Sequence, residues 1–109
     1  MGLIVKSLAG DEGSVKVSLV GDLDAEGGAI VRRAIAGMIE AGSIDVMVNL
    51  DGVGFLDSSG LAGLISSLRF ARERGGDVRI ETSNARIRRV MEVTALSRVF
   101  KLQPAAAAA

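Results

Sequence analysis

Hydrophobic and polar residues alternate near the start of the chain in a way that is typical of strands. Residues 14–20 read Ser-Val-Lys-Val-Ser-Leu-Val, the pattern of a strand with one buried face. A short β-branched run, 3–5, precedes it, and the turn-forming residues 10–13 lie between the two. Because this connection is short, we predict that the first two strands pair antiparallel.

Apolar residues recur at helical spacing in two segments in the middle of the chain, 30–39 and 61–71. Each segment follows residues that suit a helix N-cap: Asp22 or Asp24 for the first, and Asp57 or Ser58 for the second. Two glycines, at 27 and 28, fall at the start of the first helix. There each weakens helix formation by roughly 1 kcal/mol relative to alanine.

Further strands are predicted between and after these helices. Residues 44–50 are almost continuously apolar, which suggests burial on both faces, as in a parallel sheet. Residues 77–82 alternate strictly, and residues 99–102 read as a short last strand. A third helix fits between them after Ser83 or Asn84, with its spaced positions at Ile87, Val90, Met91 and Thr94. The order β-β-α-β-α-β-α-β indicates an α/β domain with a mixed, largely parallel sheet.

The composition of the 109 residues, enough for one domain, excludes several classes of site. Cysteine and histidine are both absent, which excludes disulfides, thiol nucleophiles, Ser-His-Asp triads and histidine-bound zinc. The 13 basic residues balance 13 acidic ones, and the aromatic residues are three phenylalanines. A neutral chain with so few stacking side chains is a poor nucleic-acid binder, so we expect no nucleic-acid partner.

Targeting and membrane segments are not recognisable in the chain. Its apolar runs all fall short of the roughly 18 residues that a membrane helix needs. Residues 1–6 lack the basic start of a signal peptide. We therefore expect a cytoplasmic protein that does not insert into membranes.

The densest cluster of small and polar residues is 52–61, Gly-Val-Gly-Phe-Leu-Asp-Ser-Ser-Gly-Leu. It follows a central strand and opens a helix, and sites of open α/β sheets form at that edge. Ser58 and Ser59 stand where helix N–H groups point outward, so an added phosphate would be tolerated there. The same residues also make a good helix cap, and from spacing alone both interpretations stay open.

Two other groups of charged residues are weaker candidates. Asp22, Asp24 and Asp57 fall near strand ends, where carboxylates can gather around Mg²⁺, but helix caps and loop carboxylates are the preferred explanation for them. A hydrolase built on them would have few general bases, because histidine, cysteine and tyrosine are absent. The basic run Arg86, Arg88 and Arg89 is interpreted as a solvated helix face.

Three stretches of the chain form a familiar pattern when they are taken together. They are the glycine-acidic turn 20–24, the segment 48–61 with Asp-Ser-Ser-Gly, and a C-terminal part in which Gly75-Gly76 is followed by 90–96 and then 99–100. This pattern resembles the STAS domain, and specifically the small anti-sigma-factor antagonists of bacteria. The resemblance covers about residues 3–102 and favours a functional role for the serines.

The resemblance implies a regulatory protein rather than an enzyme, with no cofactor and no metal. In that family the unphosphorylated antagonist binds an anti-sigma factor that is also a serine kinase, and a sigma factor is released. The kinase then phosphorylates the serine after the aspartate, which ends the binding, and a PP2C-type phosphatase reverses the modification. Carried over by position, the phosphorylated residue is Ser58. The partner-binding residues are Asp24, Asp57, Ser58, Ser59 and Gly60.

Other roles and one departure from the family pattern accompany this interpretation. The same fold can serve as a scaffold subunit of a stress-sensing complex or as a regulatory partner of a transporter. A receiver domain phosphorylated on Asp57 is a further alternative, although receivers need a lysine after the last strand and Lys101 reads as lying within one.

The domain is expected to span 1–102. The tail 103–109, Gln-Pro and five alanines, stands where the family usually has a fourth helix.

Overall fold

A computed structural model of the chain describes residues 2–105, so Met1 and the end of the predicted tail, 106–109, lie outside the described residues. Four strands and four helices are present within that range. In chain order they are β1 (Leu3–Ala9), β2 (Ser14–Leu23), α1 (Ala25–Glu40), β3 (Asp45–Leu56), α2 (Ser58–Arg72), β4 (Asp77–Glu81), α3 (Ala85–Val93) and α4 (Leu96–Val99).

The strands form a single mixed sheet in the order β1-β2-β3-β4. The first two strands are antiparallel, as the short turn between them predicted, and Gly13 at φ 72° closes that turn. Strands β2, β3 and β4 pair parallel, with α1 and α2 as the crossovers between them. The predicted α/β class with a largely parallel sheet is therefore confirmed.

One face of this sheet is buried, and α1 and α2 pack against it. Its strand side chains are at most 7% exposed: Val15, Val17, Leu19, Val46, Val48, Leu50, Val78 and Ile80. The opposite face is open, because Ile4 is 57% exposed, Val20 is 40% exposed and Met47 in the central strand is only half-buried. The expectation that β3 is buried on both faces is wrong, since no helix within residues 2–105 covers the second face.

Strand β3 continues six residues beyond the predicted end at residue 50 and finishes at Leu56. The register with β2 shifts twice along this extension, between Ser18 and Val20 and between Gly21 and Asp22. Such bulges insert unpaired residues and break the alternation from which a strand is recognised. The small residues that follow the predicted strand end thus belong to a bulged strand.

The predicted last strand, 99–102, is not a strand. The chain instead makes the single turn α4, preceded by Ala95 at φ 62° and followed by Lys101 at φ 50°. Its apolar spacing has another cause, because Phe100 is completely buried in the core. Among the described residues that follow β4, a single isolated bridge joins that strand, between Gln103 and Glu81.

The third helix matches its predicted place and differs in which positions it buries. Asn84 is the N-cap, as one of the two residues proposed for it. Ile87 and Met91 are buried, whereas Val90 is 36% exposed. The expected domain limit at residue 102 stays a prediction, and the backbone of Gln103 is hydrogen-bonded to Ile80 and Thr82.

Candidate functional site

The ends of β2 and β3 place two aspartates side by side at the carboxyl edge of the sheet. Leu23 and Leu56, the last residues of these strands, are paired with each other. Each is followed by an aspartate, Asp24 and Asp57, and then by a helix. The backbone N–H of Asp57 donates to the Leu23 carbonyl at 3.3 Å, so the two strand-to-helix turns are tied together.

Both aspartates are helix N-caps. Asp24 Oδ1 accepts a hydrogen bond from the Gly27 N–H at 2.8 Å, and Asp57 Oδ1 accepts one from the Gly60 N–H at 3.0 Å. A carboxylate there accepts a hydrogen bond from one of the free N–H groups of the first turn. Its negative charge also interacts favourably with the positive end of the helix dipole. Of the residues considered for these caps, Asp24 and Asp57 are therefore the ones that cap.

Ser58 and Ser59 are the first two residues of α2, and both are exposed. Neither hydroxyl has a hydrogen-bond partner within residues 2–105. Gly60 follows and is buried, so it faces the protein rather than solvent. The edge of the sheet thus presents two free hydroxyls at a helix N-terminus.

Glycines let the first turns of α1 and α2 touch, a feature that sequence reasoning missed. A Cβ built on Gly63 would overlap the backbone of Gly28, and one built on Gly28 would lie 2.9 Å from the carbonyl oxygen of Ser59. Side chains at these positions would push the helices apart, and Ser58 with them. Glycines 27 and 28 were expected only to weaken α1. The signal was their recurrence in the first turns of both helices, where helix propensity argues against glycine.

Carboxylates outnumber basic groups around the two hydroxyls, where Arg32 lines the same groove as Ser59. Asp24 and Asp57 flank them, Glu26 lies in the first turn of α1, and neither cap forms an ion pair with a described lysine or arginine. The aspartates do not assemble a metal site, since no three acidic residues between positions 2 and 105 are arranged to hold an ion. The Mg²⁺ interpretation of Asp22, Asp24 and Asp57 therefore has no support in the geometry.

Asp51, in the bulged part of β3, ties that strand to the start of α3. Its Oδ1 accepts from the Thr82 hydroxyl at 2.8 Å and the Ser83 N–H at 2.7 Å, and its Oδ2 accepts from the Ser83 hydroxyl at 2.9 Å. Burial opposes ionisation, but these hydrogen bonds favour the carboxylate and hold the pKa of Asp51 below its usual value. This anchor fixes α3 relative to the end of β3.

Comparison with known proteins places this geometry in a family. A family model described as Mlab, STAS domain, matches residues 7–104. The chain belongs to the STAS domain family. The STAS resemblance inferred from the three sequence stretches is thereby confirmed. The site lies where β2 and β3, which pair parallel, end beside each other.

Two proteins similar to this STAS domain are named as anti-sigma factor antagonists, the group that the sequence resemblance indicated. The anti-sigma-B factor antagonist of Bacillus subtilis (strain 168) is 23% identical over 92 residues, which are 84% of each chain. An anti-sigma factor antagonist from Mycobacterium paratuberculosis superposes with a TM-score of 0.78 at 23% identity, covering 94% of this chain and 86% of the other. Bacillus SpoIIAA in its phosphorylated form gives 0.74 at 18% identity, covering 95% and 93%.

The fold also decides against one alternative for this STAS domain. Receiver domains have a doubly wound, parallel sheet, whereas here β1 is antiparallel to β2 and the sheet order is sequential. Asp57 is engaged as a helix cap, and Lys101 forms an ion pair with Asp77 at 3.0 Å. The receiver interpretation of Asp57 is therefore wrong.

None of the helices described between residues 2 and 105 has the length and apolarity to cross a membrane.

Proposed function

We propose that this STAS domain is an anti-sigma factor antagonist that is switched off by phosphorylation of Ser58. Unphosphorylated, it binds an anti-sigma factor that is a serine kinase, and a sigma factor is released. Phosphorylation ends the binding, and a PP2C-type phosphatase restores it. The observation that carries the proposal is the exposed, unbonded hydroxyl of Ser58, held directly after the Asp57 cap.

The physical consequence of phosphorylation is local. A phosphate adds a charge of about −1.5 to −2 at pH 7. The N-terminus of α2 favours an anion by about 0.3–1 kcal/mol, while the carboxylates of Asp57 and Asp24 oppose it. Because these effects are small and of opposite sign, the fold itself changes little when Ser58 is modified.

The effect on a docked partner is much larger. An unmatched charge buried in an interface costs several kcal/mol. Since about 1.4 kcal/mol corresponds to tenfold in affinity, a weakening of about 100-fold or more needs no refolding. Ser58 and Ser59 would lie in the contact with the kinase, and Asp24 and Asp57 would border it. Buried Gly60 would contribute by holding α2 close to Leu23.

Kinase assays with matched hydroxyl variants test the proposal. The wild type, Ser58→Ala and Ser59→Ala are each incubated with ATP and with the individual anti-sigma factors of the source organism, and sites are mapped by mass spectrometry. We expect phosphate on Ser58 in the wild type and in Ser59→Ala, and none in Ser58→Ala. Both serines are exposed neighbours on one helical turn, so Ser59→Ala controls for the loss of a hydroxyl.

Binding measurements complete the test. Phosphorylated and unphosphorylated protein are titrated against the same anti-sigma factor by calorimetry, and circular dichroism melts record stability. The expected result is affinity about 100-fold weaker after phosphorylation, with an unchanged melting profile. Binding without phosphorylation would contradict the switch and favour a scaffold or transporter-regulating role. Phosphorylation at Ser59 would contradict the assignment of Ser58.

A further inference from the structure

The outer face of α3 exposes apolar side chains at a distance from the serine hydroxyls. Ile87 and Met91 turn inward and are at most 5% exposed. Arg86, Arg89, Val90 and Val93 form a second stripe at the spacing i, i+3, i+4 and i+7, which places them on one helix face. Val93 is 77% exposed and Val90 is 36% exposed. This stripe carries apolar surface that the core does not use.

The stripe borders a groove between α3 and the end of β3. A cavity of about 180 Å³ lies there, lined on the β3 side by Val53 and Phe55 and on the helix side by Arg86 and Val90. A second cavity, of about 250 Å³, adjoins it along α3, where Arg86 and Val90 are shared and Val93 is added. Phe55 is 51% exposed although it is the largest apolar side chain on this face. We call this surface the α3 groove.

The two arginines beside the α3 groove have no anionic partner. Some basic side chains of the described residues are paired, such as Lys16 with Glu81 at 3.0 Å and Lys101 with Asp77 at 3.0 Å, and others on the surface are not. Neither Arg86 nor Arg89 forms an ion pair with a carboxylate of the described residues. Arg88, on the same helix, instead donates to the Thr82 carbonyl and lines neither cavity.

We infer that the α3 groove docks a segment of the anti-sigma factor in which carboxylates alternate with aliphatic side chains. The inference rests on the proposed function, because Phe55 lies three residues before Ser58 and one partner would span both surfaces. Free guanidinium groups favour carboxylates, and exposed apolar side chains around them favour aliphatic contacts. A nucleic-acid backbone would satisfy the arginines and leave Phe55, Val90 and Val93 in water.

Charge-reversal and truncation variants test the groove by affinity. Arg89→Glu is expected to weaken binding of the anti-sigma factor roughly tenfold and to reduce the salt dependence of the affinity. Arg33→Glu makes the same charge change on an exposed site of α1 that lines neither cavity, and should change affinity less than about twofold. Phe55→Ala should also weaken binding about tenfold, with Leu8→Ala, 72% exposed on β1, as the control.

Photo-cross-linking separates this inference from the proposed function. Benzoyl-phenylalanine is placed at Val93 in one protein and at Ala62, an exposed site one turn after Ser58, in another. The expected result is that both cross-link to the anti-sigma factor, with Val93 joined to an acidic, aliphatic peptide. Cross-linking at Ala62 alone, or at Val93 to a basic peptide, would overturn the inference and leave the switch standing. If neither protein cross-linked to the anti-sigma factor and no binding to it were measured, both the inference and the proposed function would be overturned.

Discussion

The contact between α1 and α2 predicts different stabilities for two variants that carry the same substitution. Gly63→Ala and Gly37→Ala each replace a glycine within a helix and each gain roughly 1 kcal/mol of helix propensity. A Cβ at Gly37 meets nothing within 4 Å. A Cβ at Gly63 would lie 2.6 Å from the Cα of Gly28, and a backbone atom cannot rotate away. The two variants therefore differ only in packing.

The magnitude follows from that difference. An ordinary contact needs at least 3.4 Å, so α1 and α2 must separate by nearly 1 Å at Gly63. Overpacking of this kind costs about 1–3 kcal/mol. Because the propensity gain is common to both variants, the same 1–3 kcal/mol should separate their free energies of unfolding. For a domain of this size about 1 kcal/mol is equivalent to roughly 4–8 °C in melting temperature.

Urea unfolding and thermal melts, both followed by circular dichroism, measure this difference. Gly37→Ala should melt above the wild type, and Gly63→Ala should melt below Gly37→Ala by about 10 °C. Gly63→Ala should also accept phosphate on Ser58 more slowly below its melting temperature, since the crossing positions the start of α2. A Gly63→Ala variant as stable as Gly37→Ala would refute the view that a backbone contact between the helices sets this site.

Three further predictions concern the caps, the anchor of α3 and the C-terminal segment. Asp57→Ala should lower the free energy of unfolding by about 1 kcal/mol, measured by urea titration, whereas Asp57→Asn should retain most of it because asparagine also caps. The depressed pKa of Asp51 contributes stability that is complete above its unfolded value of about 3.9 and is lost as pH falls through the folded value. Asp51→Asn should therefore be less stable at pH 7 and lose less stability on acidification. Phe100→Ala should cost about 3–5 kcal/mol in the same titration, because the side chain is 0% exposed.

Each of these has a matched comparison. For Asp51→Asn it is Asp11→Asn, which changes an exposed aspartate in the turn between β1 and β2, away from the contact with α3, and should cost less stability at pH 7. For Phe100→Ala it is Phe55→Ala, which removes an aromatic ring that is 51% exposed and should cost much less. An equal cost for both phenylalanines, or equal stability of Asp57→Ala and Asp57→Asn, would contradict the packing and capping described above.

Most of the elements and most of the serine site could be predicted from the sequence, although the end of β3 and the segment 99–102 could not. Apolar runs, alternation and helical spacing located the four strands, three of the helices and the hairpin, because burial leaves such patterns in the chain. The cap positions were also local, since a cap acts within its own first turn. A strand-to-helix junction with Asp57, Ser58 and Ser59 could therefore be predicted without knowing which helices touch.

Tertiary structure alone decided how these parts meet. Contacts between Gly63 and Gly28, and between Asp51 and Ser83, join residues more than 30 positions apart, and no local pattern records them. The segment around Phe100 has apolar residues at the spacing of a strand, and the Phe100 side chain is buried. The backbone reaches that position through the helical turn α4, without a ladder of sheet hydrogen bonds. Apolar spacing reports burial, and only the folded chain determines which backbone geometry and which neighbours provide it.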